Sequence, residues 1–388
     1  MKILIAGAGI GGLTAALCLE KVGHEVIVFE QASQFLDVGA GLQCGANAIN
    51  VFDWLGLFAT LEPLSVAPQR VDFCDYQSGD VHYSSQWGNG YNSKYGQPYW
   101  HLHRADLHGV LHQALQGELH FNAQLKSYQE NENNVEIELN DGRKFSGDLL
   151  IGADGIKSVV RTQLLGRKEP NFTGNVAWRG VIPASDLPND FMDTIASNFM
   201  GQGKHMVIYY LRDKQLVNFV GVVQSQQQLE ESWVSEGSWD ELKADFDAWH
   251  PTVQAVINAM ENKPCYRWSL HNHKPFKTLS SSRVTLLGDA AHATLPFMAS
   301  GAAMAIEDAR ILQRSLDQFS DVTNALLCYQ RNRMPRTAKI QADSTKFGKL
   351  YHIQNPLALK LAFKALHSLA KRKEDFLPSY NANTVELI

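Results

Sequence analysis

The run Gly7-Ala8-Gly9-Ile10-Gly11-Gly12 lies between two short apolar β-runs, Lys2 to Ala6 and Glu25 to Glu30, with a helical stretch from Gly11 to Val22. Together these make a complete βαβ unit, and few folds can begin this way. Gly7 permits the tight turn, Gly9 lets the backbone approach a pyrophosphate, and Gly12 allows close helix–strand packing, with Gly11 a further glycine in the run. The helix start offers free N–H groups and a positive dipole end to phosphates. Glu30 closes the second strand, where an acidic side chain can accept from ribose hydroxyls.

A second motif lies near the other end of the chain. Arg283 to Leu287 reads as a buried strand, followed by Gly288-Asp289-Ala290-Ala291-His292 and a helix over about 302 to 316 carrying Glu307-Asp308-Ala309. Asp289 sits where the strand ends, the position from which open α/β sheets contact ligands. Its carboxylate can accept hydrogen bonds from ribitol hydroxyls. The helix beginning near Gly301 aims unpaired N–H groups at whatever precedes it, and would stabilise negative charge there. Two such motifs at opposite ends imply FAD held across the whole fold.

Between these ends the pattern changes. The runs Asn175 to Ile182, His205 to Leu211 and Leu216 to Val223 read as strands of a mainly antiparallel inserted sheet. Val135 to Leu139 and Asp148 to Ile151 flank Asn140-Asp141-Gly142, a hairpin signal. Residues 35 to 50 read as a glycine-spotted loop leading into a helix from Ala46, and residues 84 to 99 as an irregular excursion. Arg104 opens a helix with Leu107, Val110, Leu111 and Leu115 on one side. Leu357 to Lys373 reads as a helix with Leu359, Phe363 and Leu366 on one side and Lys360, Lys364 and Lys371 turned away from it. That helix is expected to cap the domain with its apolar stripe inward, the alternative being an anionic membrane surface.

The fold class is therefore α/β: a Rossmann-like FAD-binding domain with an inserted, mainly antiparallel β-sheet substrate domain and C-terminal helices. The expected division gives 1–65, 100–172 and 268–345 to the FAD domain, 66–99 and 173–267 to the substrate domain, and 346–388 to a C-terminal helical segment. A net charge of −5 argues against nucleic acid, which needs a concentrated basic face. Five cysteines without a C-x-x-C pair fit a reducing compartment, and no metal site is expected, the spacing of His101, His103, His108, His112 and His120 lacking paired ligands. No apolar run is long enough to span a membrane. The expectation is a cytoplasmic monomer or homodimer without membrane association.

Residues 148 to 161 form an apolar strand stopping at Asp154-Gly155, followed by Ser158 and Arg161. With the two motifs above, His103-Arg104-Ala105-Asp106-Leu107 and Ala177-Trp178-Arg179-Gly180, the chain resembles the flavin-dependent aromatic-ring monooxygenases of the p-hydroxybenzoate hydroxylase type, especially their salicylate hydroxylase-like branch. That resemblance implies an enzyme in which NADH or NADPH reduces FAD, without a nicotinamide-binding Rossmann site of its own. Reduced flavin and O2 then form a C4a-hydroperoxide that hydroxylates a small aromatic or heteroaromatic substrate. It also implies that Arg104 reaches the FAD, that Asp154 is linked to FAD and nicotinamide binding, and that Pro296 lies by the oxygen-reacting face. Backbone groups of Gly301 and Ala302 would contact the pyrimidine. The usual Gln before that glycine is replaced by Ser300. Asp154-Gly155 reads equally as a helix N-cap.

His205 and Tyr209, four apart on one strand, share a face. An imidazole suits a general base at neutral pH, and related hydroxylases carry a similarly spaced pair on the substrate hydroxyl. The alternative is two packed strand residues. Gln43 and Asn47 are further pocket candidates, and Arg179 could clamp a substrate carboxylate or serve a structural ion pair. The rival functions are an epoxidase or monooxygenase of a larger polycyclic or isoprenoid substrate, a flavin oxidase or reductase, and a non-catalytic flavin-fold binding protein.

Overall fold

The fold is described from a computed structural model covering residues 1–35, 40–192, 195–201, 203–226, 236–353, 355, 357–359, 361–363 and 376–388. Leu366, Lys360, Lys364 and Lys371 of the sequence reading lie outside the described residues.

Five strands pair in parallel in the order Val284–Leu286, Leu149–Gly152, Lys2–Ala6, Glu25–Phe29, Glu118–His120. Lys2–Ala6 takes the central place because its residues after Lys2 are apolar and buried, as a parallel strand covered on both faces requires. Leu4 stands between Leu150 and Ile27. The helix Ile10–Glu20 follows directly and packs on the helix Gly301–Gln318.

Eight strands form the second sheet, ordered Glu236–Gly237, Cys265–Asn272, Asn171–Pro183, Leu216–Gln224, Lys204–Leu211, Ala196–Gly201, Arg70–Asp75, Val81–Gln86. All of its pairings are antiparallel except that of Ala196–Gly201 with Arg70–Asp75, so the inserted sheet is mixed at one step. Its own core gathers Trp178, Phe219 and Phe246. Two side-chain ties fasten this sheet to the cofactor unit. Asn218 Oδ1 accepts from Gly41 N at 2.7 Å, and Arg212 holds Asp106 with bonds of 2.6 and 2.8 Å.

The structure corrects three local expectations. The Asn140-Asp141-Gly142 turn joins Val135–Leu139 to Lys144–Gly147, not to the run after Asp148. Leu149–Gly152 is buried throughout and belongs to the parallel sheet, whereas the alternating Val135–Leu139 suits a hairpin limb. The stretch 84–99 is ordered: it holds the end of a strand and the helix Asn89–Tyr95, closed by the left-handed Gly96 and packed through Trp87, Tyr91, Tyr95 and Tyr99. A thirty-residue helix, Val322–Tyr351, runs straight through the division expected at 345. Beyond it, Leu359 and Phe363 are buried in an apolar cluster with Phe297 and Tyr351, in line with an inward-facing stripe.

Candidate active site

The glycine turn is shaped by close approach. A Cβ on Gly12 would overlap the carbonyl oxygen of Gly7, and one on Gly7 (φ +101°) would overlap the carbonyl of Ala153. Gly9, the N-cap of the first helix, has nothing within 4 Å of where its Cβ would stand, so the helix start opens onto free space. Glu30 leans over this turn, Oε2 accepting from Ala8 N at 3.0 Å and Oε1 from Ala32 N at 2.9 Å. A carboxylate has four lone-pair sites, so capacity remains for ligand hydroxyls.

Asp154 takes the helix-capping part and keeps one oxygen unused. Oδ2 caps the helix Val159–Leu165 through Val159 N (2.8 Å) and Val160 N (3.2 Å), while the buried Oδ1 has no partner among the described residues. Burial pushes its pKa up. Asp289 is open to solvent, yet protein crowds it closely enough for desolvation to raise its carboxyl, against the pull of His292 and Arg104. Desolvation lowers Arg104, while Glu30 and Asp289 both act to hold its charge. One guanidinium thus stands in the field of the acids from both nucleotide motifs.

Pro296 opens a short turn ending at Ala299, which adopts the left-handed φ of +49°. Ser300 caps the next helix without a side-chain bond, because its Oγ donates backward to Met298 O at 2.7 Å. The first N–H groups of the helix from Gly301 and Ala302 are therefore left to a ligand.

The sheet face expected to meet substrate is built differently. His205 and Tyr209 are both 3 % exposed. Met200 and Val222 stand beside His205 on neighbouring strands, and Phe297 and Tyr351 bring ring centroids to 5.5 and 5.2 Å. Burial drives His205 well below the ordinary histidine range, with His352 adding to the effect. Burial pushes the Tyr209 phenol well above the ordinary tyrosine range, although Arg179 opposes it. Tyr209 also packs beneath the strand Gly41–Cys44, since a Cβ on Gly41 would strike its phenol. Arg179 stacks on Trp268 at 4.7 Å; burial lowers it to about 10, and its field couples to Tyr209 and Arg104. Gln43 accepts from Tyr99 Oη at 2.6 Å. Asn47 is buried, its amide donating to Glu307 at 2.6 Å. Among the described residues no cluster could hold a metal ion, and no helix is long and apolar enough to cross a membrane.

The family model described as FAD binding domain matches residues 1–344. The 3-hydroxybenzoate 6-hydroxylase of Polaromonas naphthalenivorans is 36% identical over 360 residues, covering 91% of this chain and 89% of that protein. The chain belongs to the class A flavin-dependent aromatic monooxygenases. The 6-hydroxynicotinate 3-monooxygenase of Bordetella bronchiseptica, a second such relative, is 35% identical over 92% of this chain and 93% of its own length. The Klebsiella pneumoniae HpxO complex with FAD and uric acid superposes with a TM-score of 0.85 at 25% identity, covering 97% of each chain.

The cradle fits the cofactor of this monooxygenase family. The open helix start at Gly9, the orphaned Asp154 Oδ1, the solvent-open Asp289 and the uncapped turn at Gly301 offer donors and acceptors where an extended dinucleotide needs them. FAD held there would supply the redox chemistry between NADH or NADPH and O2, leaving the chain to position it, exclude water and handle protons.

Sequence reasoning missed what locks this cradle in place. Glu307 and Asp308, fully buried, meet Arg333 and Arg336 from the long helix. Arg333 Nε bonds Asp308 Oδ1 at 2.6 Å, and Arg336 grips both oxygens of Glu307 at 2.7 Å. Asp308 Oδ2 accepts from Gly288 N at 3.0 Å and contacts His292 at 2.5 Å, fixing the turn that presents Asp289. Burial alone would raise Asp308, but His292 and Arg333 together outweigh it and hold it at about 2. Two arginines three apart on one helix were the available signal.

Proposed function

We propose that this enzyme hydroxylates a small aromatic or heteroaromatic ring bearing both a hydroxyl and a carboxylate. One observation carries the reading: a single buried strand face bears His205 and Tyr209, and the buried Arg179 is coupled to Tyr209 through its field. Tyr209 and His205 address the ring hydroxyl, His205 accepting its proton, because a ring bearing an oxyanion is the better nucleophile toward an oxygen donor. Arg179, planar and with its Cζ 4.7 Å from the centre of the Trp268 ring, addresses the carboxylate with paired N–H groups. The names of the relatives, which act on 3-hydroxybenzoate and 6-hydroxynicotinate, support the same substrate class. Five free, buried cysteines suit a reducing cytoplasm.

The test is a panel of hydroxybenzoates and hydroxynicotinates, scored for faster NAD(P)H-driven bleaching of the flavin and for one 18O atom from labelled O2 on a ring carbon. Acceleration and labelling by members carrying both groups are expected. Hydrogen peroxide equal to the NAD(P)H consumed, with every compound unlabelled, would make the protein an oxidase. Labelling of a polycyclic or isoprenoid compound alone would move the substrate class.

A further inference from the structure

Resting on the hydroxylase reading above, we propose that His352 is a positioning residue for the reaction. It accepts the Nδ1–H of His205, so that His205 keeps the tautomer whose Nε2 lone pair can take the substrate hydroxyl proton.

The two rings meet as Nδ1 of His205 to Nε2 of His352 at 2.9 Å, both buried. One imidazole nitrogen must donate across such a contact and the other accept, so the bond decides which face of His205 is basic. If His352 accepts, His205 has a bare Nε2; if it donates, Nε2 carries the proton and cannot act as a base. Among the described residues nothing else bonds His205, and no carboxylate contacts it to enforce the choice. The surrounding faces are Phe297 from the Pro296 turn, Tyr351 from the long helix, and Met200 and Val222 from adjacent strands. Of these only Tyr351 titrates, and burial pushes its phenol well above the ordinary range, so among the described residues His352 is the partner able to set the tautomer. His352 is held by its place as the C-cap of the thirty-residue helix.

The experiment compares His352→Phe and His352→Gln with the wild-type holoenzyme. Gln offers an amide oxygen that can accept from Nδ1–H, and Phe keeps the packing without the bond. With a hydroxyaromatic substrate at neutral pH, His352→Phe should lose about tenfold in kcat with KM held within about twofold, since general-base steps contribute roughly a hundredfold or more. The loss should fade as pH rises and the substrate ionises unaided. His352→Gln should recover most of kcat. Proton NMR of the wild-type FAD enzyme should show a low-field imidazole N–H that disappears in His352→Phe and in His205→Asn.

A wild-type pH profile in His352→Phe overturns the proposal, as does an equal deficit in Phe and Gln at every pH, which marks a purely structural residue. An absent N–H resonance in well-folded wild type removes the pair even if a variant is insoluble. A wild-type enzyme that oxygenates no hydroxyaromatic instead sinks the functional reading, which the NMR result does not touch.

Discussion

The cofactor cradle and the substrate face solve the same problem, holding a flat ring, by opposite means. The cradle uses main-chain N–H groups presented at Gly9 and Gly301, turns without side chains, and a few acids at strand ends. The substrate face uses side chains on a wide sheet, and its members come from distant stretches, His205 meeting His352 across 147 residues. A backbone-built site tolerates little change because every family member must hold the same molecule. A side-chain-built site can be rewritten one residue at a time. On the proposed function, the contrast would put the fixed chemistry on the glycines and the choice of substrate on the sheet.

The strongest way to break that contrast is at two glycines of one turn. Gly12→Ala puts a methyl group into the Gly7 carbonyl and should yield a protein that neither folds stably nor turns yellow. Gly9→Ala meets open space, so unfolding stability should match wild type while FAD uptake, followed by quenching of flavin fluorescence, weakens by about tenfold or more. Equal stability loss in both would show that Gly9 is packing and not a phosphate seat.

Next in size is Arg333→Met, which strands Asp308 in the interior. Removing one partner of a buried pair costs roughly 3–5 kcal/mol, readable by denaturant unfolding. Asp308 titrates at about 2 in the folded chain against an ordinary 3.8. Its contribution is therefore complete above pH 3.8 and disappears as pH falls through 2. That acid-side slope should be missing in Asp308→Asn.

On the other side of the contrast, His205→Ala combined with Tyr209→Phe should leave FAD bound and cut hydroxylation by roughly a hundredfold or more. Unchanged turnover in stopped-flow assays would take both residues out of the reaction. Arg179→Met should raise KM for a carboxylated substrate by about 1.5–3 kcal/mol of lost charged hydrogen bonding while sparing the corresponding amide. Smallest of all is Ser300→Gln, which should shift FAD affinity by on the order of 1 kcal/mol, one hydrogen bond. A larger change in an equilibrium titration would show that this turn depends on side chains after all.

The same division governs what the sequence could disclose. The βαβ unit, the strand before Asp289 and the strands Lys204–Leu211 and Leu216–Gln224 are signalled by local period and by glycine, so they are legible within a residue or two. The capping role of Asp154 is legible for the same reason, because a strand end and a helix start adjoin it. The Glu307–Asp308–Arg333–Arg336 cluster is not, since nothing local says that four charges will be buried together. The bond from Asn47 to Glu307 is equally out of reach of local pattern, since the two stand 260 residues apart. The 84–99 stretch was misread because its polar surface conceals four aromatic rings that pack on one another.

The long helix, finally, works as a lever. Arg333 is clamped in the ion cluster, Pro335 beside it removes a rung of the helix ladder, and Tyr351 lies at the far tip against His205. At 1.5 Å of rise per residue the tip stands roughly 27 Å from the clamp, so a tilt of a tenth of a radian there swings it by roughly 3 Å. Substitutions around Pro335, far from His205, are therefore expected to shift Tyr351 against it and to change which ring substituents the proposed pocket accepts.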